Sequence, residues 1–159
     1  MTAKSPKELA QILISSEVAS PETIVGCSEE EISAVETQFN IRLPESYKEY
    51  LRVMGKDAGE FANDLIMTYP GIIKFCRPSA EKWSAKVGFP LSATHFVFLI
   101  RDDMFMFFDT TMEDPRVYRL DIVVDERPIV VAQRFLDLLS ELVDEAVESE
   151  NYLKKMGAQ

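Results

Sequence analysis

Apolar positions first repeat at Lys7–Ser16, where Leu9, Ile12 and Leu13 share one stripe of a short helix before Pro21 and Gly26 break the period. Ser28-Glu29-Glu30-Glu31 then forms a capping box: the Ser28 hydroxyl accepts from a free first-turn amide while Glu31 reaches back. Three glutamates in that turn also suit the positive end of the helix dipole. Ile32, Val35 and Phe39 follow at i, i+3 and i+7 as one buried face, and Asn40 supplies a left-handed stop. Pro44 disfavours helix at Leu43 and suits the first turn of a new helix. That helix carries Tyr47, Tyr50, Leu51 and Met54 on one stripe and ends at Gly55, after which Lys56–Asn63 reads as loop.

The next segment is ambiguous. Leu65–Tyr69 suits a short strand, Gly71–Phe75 suits either helix or strand, and Pro78 is expected to interrupt both. Ser79–Lys86 reads as helix with Trp83 facing inward, and Gly88 and Pro90 close the region. The sheet is clearest at His95–Asp109. If Asp102-Asp103 is a two-residue turn, Leu99 opposes Met106 and Phe98 opposes Phe107; Asp-Asp is a poor match for such turns, so a longer loop stays open. Both faces of this hairpin are apolar, which places it inside a covered sheet. Arg116–Val123 alternates as a third strand, flanked by polar loops at Thr110–Pro115 and Asp125–Pro128. A last helix is predicted over 131–152, with Phe135, Leu138, Leu139, Leu142, Val143 and Ala146 on one face and acids on the other. The pattern therefore predicts an α+β chain: one domain over 1–159, with N-terminal helices in 7–54, a sheet region in 64–124 and the closing helix.

Composition narrows the function classes. The 159 residues suffice for a packed core without disulfides or metals. A net charge of -10 repels nucleic-acid phosphates and anionic membranes; it favours a cationic partner, and it also simply aids solubility. Cys27 and Cys76 stand apart, with no Cys-x-x-Cys pair and no histidine cluster, as expected of reduced thiols. Met1–Ala10 lacks the apolar core of a signal peptide, and no stretch has the roughly 18 apolar residues of a membrane span, so the cytoplasm is the expected location.

Catalytic chemistry has little to draw on. His95 is the single histidine and cannot form a zinc site with two isolated cysteines. It could act as a general base beside a carboxylate, but at the start of an apolar strand it reads first as a structural or surface residue. No phosphate-binding glycine loop or serine-nucleophile motif occurs. The acid pairs Asp102-Asp103, Glu113-Asp114 and Asp125-Glu126 all fall in turns, where solvated acids are ordinary. No cofactor, no metal and no enzymatic activity is expected.

Three segments, taken in order, carry a family resemblance. Glu30-Glu31-Ile32 through Phe39-Asn40-Ile41-Arg42-Leu43-Pro44-Glu45-Ser46-Tyr47-Lys48-Glu49-Tyr50-Leu51 resembles the opening of SUKH-superfamily domains of the Smi/Knr type. Phe96-Val97-Phe98-Leu99 to Phe107-Phe108, followed by Asp114-Pro115-Arg116-Val117-Tyr118, looks like the central hairpin and next strand of that superfamily. Phe135-Leu136-Asp137-Leu138-Leu139 is similar to its closing helix. Two loops depart from the pattern. Met54-Gly55-Lys56-Asp57-Ala58-Gly59 stands where a Gly-Gly pair is usual, and Asp102-Asp103 stands at a tip that often holds glycine. Loops of this kind carry partner specificity.

The resemblance implies a curved, mostly antiparallel sheet packed by helices, and binding rather than catalysis. Many bacterial relatives are immunity proteins that block a secreted toxin, often a nuclease, while fungal ones act as adaptors in cell-wall signalling. A nuclease presents a basic cleft, so an acidic protein can occupy it and steer encounter. On that reading Asp102, Asp103, Glu113, Asp114, Asp125 and Glu126 are the expected contacts with a basic toxin domain, forming one acidic rim. Apolar anchors must accompany them, because rim charges alone rarely carry affinity. The competing readings are a regulatory adaptor and a hydrolase built on His95.

Overall fold

The first two helices start where the sequence supplies side-chain partners for their free amides. In the computed structural model, which describes residues 4–157, helix α1 (Pro6–Ser15) begins after Ser5. The Ser5 hydroxyl accepts from the Glu8 amide, and the Glu8 carboxylate accepts from the Ser5 amide. Helix α2 (Glu29–Phe39) repeats the device with Ser28 and Glu31 and stops at Asn40, whose φ of 51° is left-handed. Helix α3 (Glu45–Met54) follows Pro44 directly and buries Tyr47, Tyr50, Leu51 and Met54. Residues 1–3, within the stretch expected to lack a leader, and 158–159, at the far end of the expected domain, lie outside the described residues.

The loop expected over 56–63 holds a small strand. Strand β1 (Ile24–Val25) pairs antiparallel with β2 (Asp57–Ala58) across the end of α3. Gly26 permits that crossing, since a Cβ there would lie 1.7 Å from the Arg52 carbonyl oxygen. Between 64 and 90 the open alternatives close. No strand forms at 65–69; Ile66 makes a single bridge to Ile100. Ile72–Cys76 is a π-helical turn that runs straight into helix α4 (Arg77–Lys86). Pro78 does not interrupt it, because it falls in the first turn of α4, where a missing amide costs least.

The main sheet has the antiparallel order β3 (His95–Arg101), β4 (Met104–Asp109), β5 (Val117–Asp121), β6 (Ile129–Ala132). Asp102-Asp103 does form a two-residue turn, with Asp102 at a left-handed φ of 49°. Leu99 opposes Met106 as expected. Phe98 does not oppose Phe107. A bulge between Val97 and Leu99 pairs Phe107 with Val97 and leaves Phe98 as the extra residue. A second bulge lies at Val117/Tyr118. Bulges bend their strands, so this open sheet curves.

The sheet also runs past its expected end at 124. Ile129–Ala132 is a fourth strand, so the last helix, α5 (Phe135–Gly157), starts at Phe135 rather than Val131. The β-branched Ile129-Val130-Val131 run behind Pro128 suits an edge strand better than a helix start. Five α-helices and two antiparallel sheets among the described residues make the expected α+β class.

Both sheet faces are packed. On one, Phe96, Phe98 and Phe108 close around Tyr47 of α3 and Phe135 of α5; the Tyr47 ring lies 5.4, 6.0, 5.4 and 5.1 Å from these four in turn. On the other, Phe105 stacks on Trp83 at 6.5 Å and Phe107 meets Phe89 at 5.9 Å. The Tyr50 hydroxyl donates to the Met67 carbonyl at 2.8 Å, whereas the buried Tyr47 hydroxyl has no partner among the described residues.

This contrast sets a prediction for urea denaturation. Tyr50→Phe strands the Met67 carbonyl and lowers stability by about 1–3 kcal/mol, while Tyr47→Phe deletes an unsatisfied polar atom and leaves stability unchanged or raised by up to about 1 kcal/mol.

Candidate functional site

The face that packs on Tyr47 is covered along only part of its length. Beyond the Phe96–Phe108 pair, Leu99 lies beside Met106, Arg101 beside Met104, and Met106 beside Arg119. These side chains share that face and line an open groove of about 1180 Å³. Its other walls are α5, from Leu138 to Leu153, and the segment 60–65. Leu99 and Met104 are buried and make an apolar floor. Val123, Val124 and Leu153 stand at its mouth, 74%, 69% and 62% exposed, which is where a partner would find apolar anchorage.

Acids surround that floor. The sheet end contributes Asp102, Asp103 and Asp121, α5 contributes Glu141, Glu145 and Glu150, and the third wall contributes Glu60 and Asp64. Against these eight acids the lining holds two arginines, and both are already paired. Arg101 Nη1 lies 2.9 Å from Asp64 Oδ2. Arg119 donates twice to Asp125 at 3.3 Å, and the Asp121 amide donates to the same carboxylate at 2.9 Å. Burial pushes the Asp125 carboxyl up, but the Arg119 hydrogen bonds, the Asp121 amide and the Arg119 charge together hold it below the usual aspartate range. The groove is therefore left with a strong uncompensated negative charge.

The six acids expected to form one rim are divided between opposite ends of the sheet. Asp102 and Asp103 sit at the β3–β4 turn and line the groove. The β5–β6 loop lies at the same end, where the Ile122 amide donates to the Asp103 carbonyl. Its Glu126 is exposed, and its Asp125 is tied to Arg119. Glu113 and Asp114 lie at the other end, in the β4–β5 loop, beside a hollow of about 200 Å³ shared with Glu45, Ser46, Arg134 and Leu136. An antiparallel meander must alternate its loops in this way.

The groove acids outside those loops carry no local motif. Asp121 ends a strand, and Glu141 and Glu145 belong to the polar side of an amphipathic helix. What the sequence does signal is length. A 23-residue helix spans roughly 35 Å, whereas the six residues of β4 span roughly 20 Å, so α5 must overhang its sheet.

The reactive groups lie elsewhere. Burial pushes the Cys27 thiol up to about 11 and the Cys76 thiol up to about 12, so both stay protonated at neutral pH. His95 sits half-buried between Phe89 and Phe107, and its Nδ1 accepts from the Ser92 amide at 3.1 Å. Desolvation holds it below the usual histidine range despite the nearby Asp109. Among the described residues, no group of three or more His, Cys, Asp or Glu could hold a metal ion, and no helix is long and apolar enough to cross a membrane.

Residues 26–141 match the family model described as SMI1 / KNR4 family (SUKH-1). The match takes in α2, α3, the whole main sheet and the anchored start of α5, and it ends before the last groove-lining turns of that helix. No curated protein matches the chain.

The Arg119–Asp125 pair gives a pH prediction. Because the folded-state pKa of Asp125 is depressed, the stability it contributes is present above the ordinary aspartate value of about 3.9 and is lost as pH falls through the lower folded value. Asp125→Asn should lower the urea midpoint at pH 7, with the gap to the native chain closing below pH ~4.

Proposed function

Because the chain belongs to the SMI1 / KNR4 family (SUKH-1), we propose that it is a non-catalytic protein-binding module that neutralises a bacterial toxin by direct binding in the cytoplasm. The toxin is of nuclease type, and its basic surface docks in the groove between α5 and the open end of the main sheet. One observation carries this reading: eight acids ring an apolar floor whose two arginines are already paired. A cleft built to bind phosphate is cationic, so this surface complements it and repels nucleic acid itself. Val123, Val124 and Leu153 supply the apolar contacts that acids alone lack. The occupied cleft can no longer admit its substrate, and inhibition needs no chemistry from the inhibitor. On this reading Asp102 and Asp103 remain contacts, Glu126 is an outlying one, and Asp125 acts by holding Arg119. Glu113 and Asp114 would touch only a partner large enough to reach the far end.

The test is capture of the partner by the tagged chain from lysate of its source cells, with stepped salt washes. Expected is one basic polypeptide, released by salt, that arrests growth when expressed alone and is silenced by co-expression of this chain. Glu141→Lys combined with Glu145→Lys should weaken binding roughly tenfold or more, about 1.4 kcal/mol or above, and abolish protection. His95→Ala should protect as well as the native chain. A non-toxic partner indifferent to salt would instead support a regulatory adaptor and sink the charge-complementarity mechanism.

A further inference from the structure

We propose that the groove takes its partner as an amphipathic helix, laid along α5, whose apolar stripe is flanked on both sides by lysine or arginine. This rests on the groove being the docking face assigned above. Three observations lead to it.

The first is the stripe on α5 itself. Leu138, Leu142, Ala146, Ser149 and Leu153 line the groove at i, i+4, i+8, i+11 and i+15, a run of roughly 22 Å or four turns. The stripe begins in the core, where Leu138 is 2% exposed, and emerges without cover at Leu153. Its middle is small, at Ala146 and Ser149, so a second helix can approach to the roughly 8–10 Å axis separation of packed helices. Across the groove, Met104 and Met106 offer flexible thioethers that adapt to a neighbour's side chains.

The second is backbone accounting. The two long walls are the side of a helix and the face of a sheet, whose amides and carbonyls are spent on their own helix and ladders. An extended segment entering between them would find few backbone partners and would bury its own polar groups unpaired. A helix arrives with its hydrogen bonds already made.

The third is that acid lies on both rims. Glu141 and Glu145 flank the stripe on one side of α5 and Glu150 on the other, while Asp102, Asp103 and Asp121 face them from the sheet. A partner charged along one border only would leave one rim unanswered, so cations belong on both borders of its apolar stripe.

The test is fluorescence anisotropy with the full chain and three synthetic peptides of about 16 residues, the length that spans the stripe. One carries leucines at i, i+4, i+7 and i+11 flanked by lysines, one is the same sequence with a central residue replaced by proline, and one has glutamates in place of lysines. Expected is binding of the first at least tenfold tighter than either control. Ser149→Arg, at an exposed position, should cut it at least tenfold while keeping the native urea midpoint. Equal binding of the proline peptide, or indifference to Ser149→Arg, overturns the proposal. So does self-association of the chain that Ser149→Arg breaks, which would give the groove to a second copy. If no peptide binds while the toxic polypeptide is still captured in a Glu141- and Glu145-dependent way, the helical mode falls and the groove stands. If that capture ignores Glu141, Glu145 and Ser149, the groove reading falls as well.

Discussion

The architecture depends on one buried ring. Tyr47 leaves α3 to meet three phenylalanines of the β3–β4 hairpin and Phe135 of α5, all within 6.0 Å. It joins a helix, a sheet and a second helix that are distant in sequence. Aromatic pairs in edge and tilted arrangements add to the burial of their area, so the cluster fixes relative position as well as contributing stability. Its hydroxyl gains nothing there, and burial and the neighbouring Tyr50 keep it protonated. The ring is placed for packing.

From that anchor the groove follows as geometry. Helix α5 is held against the sheet at its Phe135 end and continues well past the last strand pair. Its far end lies beside α1, where Lys154 pairs with Glu17 at 3.2 Å. A short, curved sheet beneath a longer helix cannot cover that helix throughout, and the uncovered wedge is the acidic groove. Its charge needs no special cluster. The polar side of α5 and the turn-bearing end of the sheet are both acidic and happen to face one wedge.

Much of this was legible in the chain itself. Capping boxes at Ser28 and at Ser5 mark helix starts, because a hydroxyl and a glutamate three residues on can serve two free amides at once. The Tyr47–Met54 stripe and the two-sided hairpin also stand out by period. Less legible were the features set by pairing at a distance. The Phe98 bulge shifts register without any glycine to announce it, and β6 borrows β-branched residues from what periodicity assigns to α5. The site was half legible. Loop acids could be named, but adjacency in sequence does not say which end of a meander a loop occupies. The apolar floor was hidden because Leu99, Met104 and Met106 look like any core positions until the helix above them diverges.

The two halves of α5 answer to different constraints. Up to Val143 its inward side chains are locked into the aromatic core, where a changed volume is felt as a cavity or as strain. Beyond it, Glu145, Ser149 and Leu153 are exposed and touch no part of that core, so substitutions there cost within about 0.5 kcal/mol of folding stability. On the proposed docking mode, a few helical turns can be rewritten to suit another partner while the scaffold stays in place.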